Sequence, residues 1–62
     1  MSRLSSLRKA AGLTQQQLAD LLGVKRTVVT NWETGVAITP TKYLLALADA
    51  LGCTVEDLLR PA

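Results

Sequence analysis

Four glycines punctuate this chain, at Gly12, Gly23, Gly35 and Gly52, and glycine occurs nowhere else. Each follows a segment with helical apolar spacing, where a left-handed residue ends a helix cheaply. Leu4, Leu7 and Ala11 precede the first. Leu18, Ala19 and Leu22 precede the second. Val29 and Trp32 precede the third, and Leu44, Leu47, Ala48 and Leu51 the fourth. A fifth helix starts at Thr54 and ends by Arg60, because Pro61 disfavours helix at the residue before it. Nothing alternates as a strand would. The chain reads as all-α: a compact five-helix domain spanning 1–62, with its core on Leu4, Leu7, Leu18, Leu22, Val29, Trp32, Leu44, Leu47, Leu51, Val55 and Leu58.

Local chemistry sharpens the boundaries. Thr14 can accept the backbone N–H of Gln17, and Gln17 can reach back to Thr14, which makes a capping box. Leu13 and Leu18 hold the staple positions around it. Thr54 and Asp57 have the same relation, with Cys53 and Leu58 as staple. The first helix is expected from Ser2 or Arg3 to Ala11. The start of the fourth is open: Thr39 could cap with Pro40 at the first helical position, or Thr41 could cap just after the proline.

The chain is organised around residues 14–35. Two short helices meet there at a tight turn on Gly23, and the small Ala19 lets them cross closely. On the second helix, about Arg26 to Thr34, Val29 and Trp32 point one way. Arg26, Thr27, Thr30, Asn31 and Thr34 point the other way, with Val28 and Glu33 on the borders. That is the build of a helix-turn-helix whose second helix enters the major groove of DNA. Arg26, Thr27, Thr30 and Asn31 are the candidate base contacts, since guanidinium, hydroxyl and amide groups match base edges. Lys25 breaks a local rule. A cation there caps poorly and opposes the helix dipole. A DNA phosphate beside Lys25 would supply the missing negative charge.

The chain resembles the lambdoid phage repressor and Cro, or XRE, helix-turn-helix family. The matching residues are Leu-Arg-Lys-Ala-Ala-Gly-Leu-Thr-Gln-Gln-Gln-Leu-Ala at 7–19, Gly23-Val24, Trp32-Glu33-Thr34-Gly35, and Leu-Ala-Asp-Ala-Leu-Gly-Cys-Thr-Val-Glu-Asp-Leu-Leu at 47–59. The resemblance covers about Leu4 to Leu59. It implies a lambda repressor-like DNA-binding domain. It also implies an ion pair between Arg8 and Glu33 that ties helix 1 to the recognition helix, and a phosphate contact from Gln15. Lys25, Lys42 and Thr41 complete the candidate phosphate contacts. Family members often place basic residues after the recognition helix, whereas this chain has Val36, Ala37 and Ile38.

Composition excludes other classes. There is no His and a single Cys53, so neither a metal site nor an internal disulfide is expected. Cys53 reads as a small buried hydrophobe, which suits a reducing interior. No nucleophile with a base, no phosphate loop and no sizeable cleft point to an enzyme, a cofactor or a small-molecule ligand. No apolar run spans a membrane, and the N-terminus lacks a secretory h-region, so a cytoplasmic location is expected. The net charge is +2, with Arg3, Arg8, Lys9, Lys25, Arg26 and Lys42 against Asp20 and Glu33 in residues 1–42, and Arg60 against Asp49, Glu56 and Asp57 behind them. One side suits a polyanion. The expected function is sequence-specific binding of double-stranded DNA by a homodimer on a palindromic operator, with repression by occupancy. A start at Met1 and an end beyond helix 5 suit an intact small regulator. A protein-interaction module on the same frame is the alternative, and RNA binding is a third reading that nothing in the chain favours.

Overall fold

Two threonines decide where two of the helices begin. Thr14 Oγ1 accepts the Gln17 backbone N–H at 3.0 Å, and Gln17 Oε1 accepts the Thr14 N–H at 2.8 Å. Thr54 and Asp57 form the second capping box, at 3.0 and 3.2 Å. Each box satisfies two backbone donors that a helix start would otherwise leave without partners.

The computed structural model describes residues 2–60. The chain forms α1 (Ser2–Ala10), α2 (Gln15–Leu22), α3 (Arg26–Thr34), α4 (Thr41–Leu51) and α5 (Val55–Leu59), with no strand among the described residues. Gly23 ends α2 at φ +71°, with its N–H turned back to the carbonyls of Ala19 and Asp20. That left-handed turn lets α3 leave at once across α2. α3 packs on α2 and α1, α2 also meets α4, and α5 closes the bundle against α4 and α1.

The core is built from Leu4, Leu18, Ala19, Val29, Trp32, Leu47, Ala48, Leu51 and Leu58, all buried. Leu7, Leu22 and Val55, expected inside, are half-buried and pack against its edge. Leu44 is half-buried and instead lines a small apolar hollow with Ala37, Ile38 and Leu59. Cys53 is also only half-buried.

Three boundaries differ from expectation. α1 stops at Ala10, so Ala11 is exposed in the turn. Neither Thr39 nor Thr41 caps α4. Pro40 holds the cap position in an extended conformation, and no side chain caps the helix. Proline's fixed φ suits that position as well as the first helical one. Thr39 is buried below it with its hydroxyl unpartnered, and Thr41 opens the helix. Pro61, which the sequence uses as a stop, lies outside the described residues, but α5 does end at Leu59.

Candidate nucleic-acid interface

The recognition helix α3 is held by polar bonds as well as by its apolar back. Val29 and Trp32 are buried. The Trp32 ring lies 5.3 Å from that of Tyr43 on α4, tilted by 46°. Lys42 Nζ sits 5.2 Å over the other ring of that pair, Tyr43. This stack carries α3 to the start of α4, where Thr41 and Lys42 are exposed.

A second tie runs through Glu33. Arg8, in the last turn of α1, donates from Nε to Glu33 Oε2 at 2.6 Å and from Nη2 to Oε1 at 3.4 Å. Its Nη1 donates to the Leu13 carbonyl at 2.8 Å. Gln15 Nε2 donates to Glu33 Oε1 at 3.0 Å, and Gln15 Oε1 accepts the Thr30 hydroxyl at 3.1 Å. Three helices therefore meet on one carboxylate. Burial alone would raise the Glu33 pKa, but the bonds from Arg8 and Gln15 and the nearby cations hold it below its ordinary value. The carboxylate stays charged, which a buried acceptor of several donors requires.

Sequence placed Arg8 and Glu33 together, and the structure brings them into contact. It did not foresee that Gln15 and Thr30 join them. One signal was available: Thr30 and Glu33 are three residues apart on one helix face, so a side chain that meets one can meet the other. Gln15 is therefore engaged with Glu33 and Thr30 rather than freely solvated.

The other candidates are set differently. Lys25, Arg26, Thr27 and Thr34 are exposed, and Asn31 is half-buried. Among the described residues, no hydrogen bond or ion pair engages the side chains of Lys25, Arg26, Thr27 or Asn31. Lys25 occupies the cap position of α3 in an extended conformation, with no side-chain cap bond. The face thus combines uncommitted donors with an uncapped helix start, whose N–H groups favour an anion. Between α3 and α4 the loop exposes Val36 and Ile38, the latter 93% accessible, so basic side chains do not extend the surface there. Among the described residues, no cluster of His, Cys, Asp or Glu could hold a metal ion, and no helix is long and apolar enough to cross a membrane.

Comparison with known proteins agrees with this geometry. The chain is similar to the transcriptional repressor RstR of a cryptic phage of Vibrio cholerae, 36% identical over 56 residues, covering 90% of this chain and 50% of that protein. It is similar to the transcriptional activator BcrR of Enterococcus faecalis, 35% identical over 57 residues, covering 92% of this chain and 28% of that protein. It is similar to the transcriptional regulator AnsR of Bacillus subtilis, 34% identical over 59 residues, covering 95% of this chain and 51% of that protein. The chain thus spans about half or less of the length of these relatives. No solved structure gives a significant match. The profile of the helix-turn-helix family matches residues 4–58, which takes in all but the first residues of α1 and the last of α5. With five helices arranged around a Gly23 turn and an open polar face on α3, the chain belongs to the helix-turn-helix family.

Proposed function

We propose that the protein is a sequence-specific double-stranded DNA-binding transcriptional regulator. The observation that carries this reading is the outer face of α3, where the side chains of Arg26, Thr27 and Asn31 have no partner among the described residues. Thr30 completes the base-facing set. Lys25, Gln15, Lys42 and Thr41 contact phosphate, the first at the uncapped start of α3 and the last two at the start of α4. Phosphate contacts fix register and base contacts carry sequence.

A helix of nine residues reads only a few base pairs. Two copies on a palindrome, with recognition helices about 34 Å apart over half-sites about 10 base pairs apart, supply the remaining specificity. The exposed Leu59, at the end of α5, is the proposed contact between copies. Occupying an operator in this way blocks transcription. The relative named as a repressor supports that direction.

Selection of bound sequences from a random duplex pool tests the reading. A palindromic motif, bound by two copies and weakened by salt, is the expected result. Failure to enrich any sequence would leave the fold as a protein-interaction module instead.

A further inference from the structure

We propose that the Thr30 hydroxyl meets DNA only as a hydrogen-bond acceptor, and so reads the exocyclic amine of an adenine or a cytosine in the major groove. This rests on the DNA-binding reading above and assigns one position of it a polarity.

A threonine hydroxyl has one hydrogen to donate and two lone pairs to accept with. In this protein the hydrogen is already committed. Thr30 Oγ1 lies 3.1 Å from Gln15 Oε1 and 3.2 Å from the Arg26 carbonyl, and both are acceptors. The amide of Gln15 cannot turn to offer its N–H to Thr30 without loss. Its Nε2 donates to Glu33 Oε1 at 3.0 Å, and a carboxylate paired with Arg8 has no hydrogen to give in exchange. The order of donors is therefore set from the ion pair outward: Arg8 to Glu33, Gln15 to Glu33, Thr30 to Gln15.

Only lone pairs of Thr30 are left to face a ligand. Phosphate oxygens only accept, so they are not its partners. Guanine O6, guanine N7 and thymine O4 also only accept. In the major groove the donors are adenine N6 and cytosine N4. The residue that would otherwise suit any base or a phosphate is restricted to one functional group. Asn31, with its side chain uncommitted, has no such restriction.

The test uses the whole chain and its selected duplex. At each base pair, one group is removed at a time: purine replaces adenine, 2-pyrimidinone replaces cytosine, 2-aminopurine replaces guanine and 5-methyl-2-pyrimidinone replaces thymine. Affinities are compared for the wild type, Thr30→Val, Thr30→Ala and Thr30→Ser, so that effects on the duplex itself cancel. The expected result is one amine whose removal weakens the wild type and Thr30→Ser by roughly fivefold, the size of one neutral hydrogen bond. Thr30→Val and Thr30→Ala should be indifferent to it. Coupling of Thr30 to a keto oxygen, or to no base group at all, would overturn the acceptor assignment. A wild type that enriches no sequence would instead overturn the DNA-reading function on which it rests.

Discussion

Arg8 reaches across 25 positions of sequence to place its Nε 2.6 Å from Glu33 Oε2, with the two side chains only 10% and 6% exposed. A pair this buried is weak evidence of net stabilisation, since desolvation offsets its attraction. Losing one member is another matter. Arg8→Ala or Glu33→Ala leaves a charge without its partner and should destabilise the protein by about 3–5 kcal/mol in chemical denaturation. The double replacement Arg8→Met with Glu33→Leu should lose less than the two single changes added together. Near-wild-type stability of Glu33→Ala would remove the pair from its structural role.

Acid should weaken the fold through two carboxylates. Glu33 and Asp57 are both held below their ordinary values of 4.5 and 3.8. For Glu33, burial opposes the shift and the bonds from Arg8 and Gln15 overcome it. For Asp57, the hydrogen bonds with Thr54 lead and Arg60 adds to them. A group depressed in the folded state binds its proton more readily when unfolded. Its contribution is therefore full above the ordinary carboxylate range and is lost as pH falls through the depressed folded values. Denaturation followed from neutral pH into acid should show that decline, and Asp57→Asn should make it shallower.

Leu47 on α4 is fully buried in the apolar core. Leu47→Ala removes methylene contacts and leaves a cavity, with an expected loss of roughly 2–5 kcal/mol. A domain this small has little to spare, so thermal unfolding should show either a large fall in Tm or no transition. A shift of only a degree or two would contradict the packing described.

Positioning and reading should fail in different ways. Lys25→Ala should weaken binding to all duplexes alike and reduce the salt dependence by about one unit of slope. Asn31→Ala should lose roughly 1–3 kcal/mol on the preferred site and relax preference at one base pair. Binding titrations over a salt series and repeated sequence selection separate the two. An unchanged selected motif for Asn31→Ala would end its assignment to a base.

Local interactions were the legible part of this molecule. Thr14 with Gln17, Thr54 with Asp57 and the left-handed Gly23 are all written within a few residues, and all appear in the structure. The apolar stripes found the core but not its edge. Leu7 and Leu44 have the right spacing, yet the stripe is wider than the surface that neighbouring helices cover. The α4 start is not legible locally, because both threonines beside Pro40 could cap and backbone geometry chose neither. Contacts distant in sequence had at most a faint local signature, the three-residue spacing of Thr30 and Glu33. Arg8 with Glu33 came from resemblance, and Gln15 with Thr30 emerged only when α2 and α3 were set against each other.

The uncapped start of α3 has a consequence for how this protein can evolve. Lys25→Ser would give the helix the cap it lacks, and such caps are typically worth about 1 kcal/mol. On the proposed reading, the same change removes a phosphate contact. The free protein would melt higher while its grip on DNA loosened. On that reading, the sequence that folds best at this position and the sequence that binds best are different sequences, and Lys25 belongs to the second. Selection for thermal robustness alone should therefore erode it first.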